Sequence, residues 1–525
     1  MNDSHTLGRW LGDSARRHPH KVAIDDRGVT VSYAELERRS DELATSLARA
    51  GYAVGDRVAT VSGNSADHVV LFFACAKAGL ALVPLSWRLT ASELGPLLRT
   101  TRPALVVAEE AMMRLVRESL EVLPASPPVV TPGTTGIEAT VPTRVLEPGE
   151  AWPDQRDATD DDAVLVIFTS GSEATPKGVV LSHANCFWNS LALAQSMGLS
   201  EHDVVLATLP QFHVAAWNCQ PLAAWWHGAT VVLERSFEPS RVLRLVADRR
   251  VTTTMTVPTQ LHLLASEPGF ADADLSSLRQ VVVGGDSFPG ALRELWAARG
   301  VEVAHGYGLT EASPNVLYLP PARAAEHSGA VGWPYPYVEV RLVDASATSG
   351  GAAVEGAGAG ELQVRGPGVF TGYLDDPERT ARAFDDGWLR TGDLAERDDD
   401  GCYRIVDRLK NIYISGGENV APAEVEAALV QHPLVVDAAV VAVPDEVWGQ
   451  VGIAFVEPVA GVGLTADEVL EHARQRLADF KLPRRVHVMS ELPRTGIGKI
   501  ARSDLREDAC HPDPRQHVGP GDETQ

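Results

Sequence analysis

The run from Phe168 to Gly178 reads FTSGSEATPKG and concentrates hydroxyls, glycine and one lysine. Thr169, Ser170 and Ser172 can donate hydrogen bonds. Small residues such as Gly171 let backbone N–H groups approach an anion closely, and Lys177 adds a positive charge. The chemistry these types suit is phosphate binding. A Walker A loop needs Gly before its Lys and Ser or Thr after it. Here Pro176 and Gly178 occupy those places, so kinase-type phosphoryl transfer is disfavoured. On these residues alone, a plain Ser/Gly-rich turn stays open as a reading.

The elements around the loop imply an α/β fold. The loop follows AVLVIF (163–168), a short branched apolar run that reads as a buried strand. Upstream, residues 34–50 have helical spacing with a charged face. The stretch Val69–Leu85 reads as a buried helix running into a strand, because Lys77 and Pro84 interrupt it as a membrane span. Downstream, VVLATL, ATVVLE, TTTMTV, QVVVGG and EVAHGYG alternate with helical patterns, as sheets flanked by helices require. Residues 345–360 are low-complexity, and the chain beyond them turns β-rich.

A chain of 525 residues exceeds one hydrophobic core, so at least two domains are expected. A formal net charge of -24 disfavours nucleic acid and anionic lipid as partners. Any polyanionic ligand must then be met by local cations, N–H groups or metal. The five cysteines have no metal-ligand or CxxC spacing. With no apolar leader at the start, they imply a reducing, cytoplasmic setting.

Four further motifs follow the loop in a fixed order. They are GYGLTE (306–311), GWLRTGD (387–393), DRLKNIYISGGENVAPAEVE (407–426) and LPRTGIGKIAR (492–502). Together they resemble the adenylate-forming (AMP-binding) superfamily of acyl-CoA synthetases, peptide-synthetase adenylation domains and luciferases. The resemblance covers roughly residues 10–505. It implies a large N-terminal domain of mixed sheets flanked by helices with a β-rich subdomain (1–409), and a small mobile α+β C-terminal domain (410–510). Residues 511–525 are expected to be a disordered tail.

The resemblance also assigns roles. Thr169, Ser170, Gly171, Ser172 and Lys177 would bind ATP phosphates. Tyr307, with Gly308, would stack on adenine, and Gly284, Gly285 and Asp286 would run past it. Thr310 would meet the α-phosphate, and Glu311 would bind Mg²⁺, which a hard carboxylate suits. Asp393 and Arg408 would hold the ribose. Lys410 would be the hinge, and Gly416 and Gly417 would line a coenzyme A tunnel. Lys499 would stabilise charge developing during adenylation. Phe212 and His213 would border the acid, although His213 could equally be a structural histidine.

The implied activity is an ATP-dependent acid–CoA ligase with Mg²⁺, forming acyl-AMP and then acyl-CoA. An amino-acid-adenylating domain would place Asp where His213 stands. The small residues Val214, Ala215 and Ala216 leave room for an acyl chain, so a fatty acid is the first reading. Alternatives are an aryl or cinnamic-type acid, or a carrier-protein or amine acceptor. A nucleotide-binding pseudoenzyme ranks last, because Lys499, Glu311 and Asp393 are all retained. A monomer or a homodimer fits equally. Glu173 and Ala174 depart from the family's loop, and Asp407, where Gly is frequent, is expected to be neutral.

Overall fold

The computed structural model describes residues 5–146, 156–169, 176–285, 288, 290–344, 351–409, 411–415, 418–445, 448–477, 479–495 and 499–510. Ser170, Gly171, Ser172, Glu173, Ala174, Asp286, Lys410, Gly416, Gly417 and the 511–525 segment lie outside the described residues. The chain forms two compact units. One comprises Met1–Val340 with Val364–Leu389, the other Arg341–Gln363 with Arg390–Gln525. The pivot expected at Lys410 concerns motion and remains a proposal.

The first unit holds two large sheets. In the first sheet the strands run in the order Trp333–Pro334, Asn315–Leu319, Glu302–Gly308, Gln280–Gly284, Thr253–Thr256, Val204–Ala207, Thr230–Leu233, Val22–Asp26 and Val29–Ser32. From Glu302–Gly308 through Val22–Asp26 the pairing is parallel. Antiparallel partners close it toward both edges. Parallel strands need cover on both faces, which explains the unbroken apolar runs VVLA and QVVVG. The helix Pro239–Asp248 supplies part of that cover. Its Val242, Leu243, Leu245 and Val246 are buried in a cluster with Val281, Val283 and Trp296.

The second sheet orders Gly372–Tyr373, Lys177–Ser182, Ala163–Thr169, Ala81–Pro84, Arg57–Val61, Leu105–Ala108 and Val129–Val130. Ala163–Thr169 is parallel to Ala81–Pro84 and then folds back antiparallel onto Lys177–Ser182. The helix Ala66–Ala78 starts at Ser65, whose side chain accepts from His68 N–H. It ends at Gly79 and feeds the strand Ala81–Pro84, as the sequence implied. Among the described residues, no helix is long and apolar enough to cross a membrane.

In the second unit, the strand Trp388–Arg397 (from Arg390 on) pairs antiparallel with Tyr403–Arg408. Beyond it, the long hairpin Val435–Asp445/Gly449–Pro458 is flanked by Tyr413–Ser415 on one side. Arg485–Val488 pairs in parallel with its second strand. Two helices, Pro422–Val430 and Ala466–Arg474, contribute Val425, Leu429, Val469 and Leu470 to one buried cluster. The helix Arg502–Cys510 contributes Leu505 and Ala509 to the other. The segment is α+β, as expected.

Two buried histidines make the first unit acid-sensitive. His68 lies between the Thr60 hydroxyl (3.0 Å) and Gln211 Oε1 (3.1 Å). His183 Nδ1 accepts from Leu7 N–H at 3.1 Å. Burial pushes both pKa values down to about 4. Both are therefore neutral in the fold and take up protons on unfolding below the ordinary histidine range. Stability contributed this way is full above about pH 6.5 and falls toward pH 4, by about 2 kcal/mol per histidine at pH 5. The urea midpoint for the first unit is expected to drop between pH 7 and pH 5. His68→Gln should reduce that drop; an unchanged slope would refute the assignment.

Candidate active site

The parallel sheet fixes the first half of the site. In open α/β sheets, ligands gather at the carboxyl ends of the strands. Here those ends carry Gly284 and Gly285 after Gln280–Gly284, and Tyr307 and Gly308 at the end of Glu302–Gly308. Gly284 and Gly306 are register partners. A Cβ on Gly284 would sit 2.9 Å from the Gly306 carbonyl oxygen, so only glycine keeps this pair close. A Cβ on Gly308 would meet Pro314 O at 1.5 Å. That contact lets the chain turn sharply into Thr310–Ala312, a single 3₁₀ turn rather than the start of a long helix. Tyr307, Thr310 and Glu311 are all partly exposed there.

His213 follows the strand Val204–Ala207, a member of the same sheet, and is partly exposed. Its ring lies 4.6 Å from that of Phe212. Asn64 holds the preceding segment, accepting from Gln211 N–H and donating to Leu209 O, both at 2.9 Å. Val214 and Ala216 are buried beside Trp217, which stacks on Phe72 at 4.6 Å. Those two small side chains thus pack into the interior.

Thr169 and Lys177 are directly opposite each other in the antiparallel ladder. The phosphate loop therefore joins two strands, not a strand and a helix. Lys177 Nζ lies 5.4 Å from the Tyr373 ring centroid. The Tyr373 hydroxyl donates to Glu311 Oε1 at 2.9 Å, and Phe370 N–H donates to Glu311 O at 2.8 Å. One tyrosine thus ties the loop's lysine to the turn's carboxylate. Sequence reasoning missed it. Its signal was faint: a lone Gly372-Tyr373 whose pairing with Val180 and Val179 is a long-range property.

In the second unit, Asp393 and Arg408 are cross-strand partners. Arg408 Nε lies 2.5 Å from Asp393 Oδ1, and the Asp393 side chain is 3% exposed. Asp393 N–H donates to Thr391 Oγ1 at 3.0 Å. The arginine compensates a carboxylate that would be costly to bury alone. Asp407 was expected to be neutral, yet it is buried and engaged. It accepts from Arg408 N–H (2.6 Å), Asn411 Nδ2 (3.3 Å) and Ala423 N–H (2.9 Å), capping the first turn of Pro422–Val430. Lys499 is exposed, on the returning leg of a hairpin.

These groups fit the implied ligands. Glu311 is a hard oxygen donor with one oxygen engaged by Tyr373, and the Thr310 hydroxyl stands next to it in sequence. Such a pair suits Mg²⁺ shared with phosphate oxygens. An added Cβ on Gly285 would meet only Val257 at 3.9 Å, so this strand end is open, whereas Gly284 and Gly308 serve close backbone packing.

Residues 11–374 match the AMP-binding enzyme family, and residues 424–499 match the AMP-binding enzyme C-terminal domain. A feruloyl-CoA synthase from Amycolatopsis is 39% identical, covering 95% of this chain and 98% of its own. A fatty acid–[acyl-carrier-protein] ligase from Streptomyces coeruleorubidus is 36% identical, covering 96% of each. The crystal structure of ATP-bound MatB from Rhodopseudomonas palustris superposes with a TM-score of 0.85 at 29% identity, covering 96% of this chain and 98% of that one. The chain belongs to the AMP-binding enzyme family. It is an AMP-forming acid–thiol ligase, with the mixed α/β fold the motifs implied.

Removing the Tyr373 hydroxyl should loosen Glu311 without unfolding the protein. Tyr373→Phe is expected to weaken Mg·ATP binding by about 3- to 10-fold, the worth of one ordinary hydrogen bond of about 1 kcal/mol. ATP binding measured without Mg²⁺ should change little. Equal weakening in both conditions would refute the link through Glu311.

Proposed function

We propose that the chain is an ATP-dependent carboxylic acid–CoA ligase that forms an acyl-AMP and passes the acyl group to coenzyme A. The observation that carries this reading is the convergence of Lys177 and Glu311 on Tyr373. Lys177, at the end of the loop, and Glu311, in the Tyr307–Glu311 turn, meet at one side chain within a single unit, which supports a shared phosphate and Mg²⁺ site.

The acid's carboxylate oxygen attacks the α-phosphorus of ATP. The new O–P bond forms as the bond to the leaving pyrophosphate breaks. Lys177 and the loop hold the departing phosphates, and Thr310 orients the α-phosphate. By the family resemblance, Tyr307 would stack on adenine, and Asp393 with Arg408 would hold the ribose. Lys499 supplies positive charge where negative charge grows. Bound Mg²⁺, held by Glu311, would neutralise phosphate charge. In the second step the thiol sulfur attacks the acyl carbonyl and AMP leaves. Lys499 has no part in that step, so rotation of the C-terminal domain about Lys410 would withdraw it and bring the Gly416–Gly417 segment to the thiol.

The acid is an apolar carboxylate. A fatty acid is the reading drawn from the small residues at 214–216. An aryl acid is the second reading, favoured by the 39% identity to a feruloyl-CoA synthase. The carrier-protein ligase at 36% identity supports a protein thiol as alternative acceptor.

Acid-dependent pyrophosphate release should be measured across fatty, aryl and amino acids, with and without coenzyme A. One acid class is expected to release pyrophosphate and then yield acyl-CoA. Lys499→Ala should lower adenylation by about 100-fold or more, the scale of losing one charge-stabilising group. Turnover indifferent to coenzyme A would move the acceptor to a carrier protein or an amine. No release with any acid, ATP still binding, would overturn the ligase reading.

A further inference from the structure

Lys499 is exposed. What holds it is the base of its hairpin. Arg494 and Ile500 face each other in an antiparallel bridge. Thr495 N–H donates to Lys499 O at 2.6 Å, and Ala501 N–H donates to Pro493 O at 2.8 Å. Each leg also carries one arginine, and each arginine is ion-paired inside the same unit.

On the outgoing leg, Arg494 Nη2 meets Asp437 Oδ2 at 2.7 Å and Glu457 Oε2 at 3.6 Å. Glu457 Oε2 also accepts from Leu492 N–H at 3.1 Å. On the returning leg, Arg502 Nη2 donates to both oxygens of Glu426 at 2.6 Å. Glu426 Oε1 in turn accepts from Val440 N–H at 2.7 Å. Its side chain is 13% exposed. Glu426 thus joins three elements: its own helix Pro422–Val430, the strand Val435–Asp445, and the residues just after Lys499. One guanidinium nitrogen thus spans both oxygens of a mostly buried carboxylate, a charge-assisted tie.

Resting on the role proposed for Lys499, we infer that Glu426 and Arg502 are positioning residues that set the pose of the Lys499 hairpin for adenylation. Neither is a catalytic residue, because neither side chain needs to touch substrate. The backbone path is short: Arg502 lies three residues after Lys499, and its N–H donates to Ile500 O at 3.1 Å. A swing at Arg502 therefore moves Lys499 directly. The thioester-forming step, which does not use Lys499, should be spared. A general stabilising role would make no such distinction.

The test separates the two half-reactions in full-length enzyme, using the acid that the wild type accepts. Adenylation is read as acid-dependent ATP–pyrophosphate exchange. Thioester formation is read as coenzyme A consumption of supplied acyl-adenylate. Glu426→Gln keeps an acceptor for Val440 N–H but removes the charge facing Arg502. It should lower adenylation by about 10- to 100-fold, the scale of roughly 1 Å of misplacement. Thioester formation should stay within about twofold, since no contact used in that step is touched. Arg502→Lys, which keeps a cation but replaces the planar guanidinium with a flexible ammonium, should show the same split with a smaller loss.

Equal losses in both half-reactions, or no loss in either, would overturn the inference. If Glu426→Gln does not fold, judged by its thermal midpoint, the split in Arg502→Lys decides. Lys499→Ala run alongside separates the two levels. If it leaves adenylation intact, the role of Lys499 itself falls. If it abolishes adenylation while Glu426→Gln does not, only the positioning role falls.

Discussion

A chain with a formal charge of -24 has to hold a polyanion. The arrangement of the site answers that constraint. Bulk field gives no help, so every attractive group is local and individually mounted. Lys177 sits at the end of a strand and over an aromatic face. Other cations, not themselves offered as phosphate ligands, are anchored by acids, Arg408 by Asp393 and Arg502 by Glu426. In each ion pair the carboxylate is the better buried partner. Interior acid thus orients surface base, and acidic residues serve cation placement as well as solubility.

Sequence patterning reached the elements well and the connections between them poorly. Apolar runs at 163–168, 204–207 and 280–284 announce buried strands because parallel sheets must be covered on both faces. The motif at 306–311 stands out through its resemblance to the AMP-binding family, since by residue type alone it also reads as a Gly-rich turn. Tyr373 does not stand out, because its partner Glu311 lies 62 positions away and reaches it only through strand pairing. The contacts of Asp407 were hidden for a related reason. Its value comes from Ala423 N–H, 16 positions on, which a local comparison with glycine does not reveal.

Glu426 illustrates the same limit. Read locally, Ala423-Glu-Val-Glu-Ala is an amphipathic helix start, and glutamate there looks like a solvated charge. The fold instead places it against Val440 and Arg502, 14 and 76 positions away. Charged residues in helices are read as surface by default. Only tertiary packing separates the few that anchor from the many that are merely solvated.

The phosphate loop joins two strands paired in antiparallel register, from Ala163–Ser182 to Thr169–Lys177. The ladder's buried residues, Val164 to Ile167 with Val179 and Leu181, precede and follow the loop in sequence. Folding and ligand grip are thereby assigned to separate stretches of chain. Selection can alter the loop's composition without reopening the core. Glu173 and Ala174 lie between these strands in sequence, so exchanging them is expected to bear on nucleotide handling more than on the pairing of the two strands.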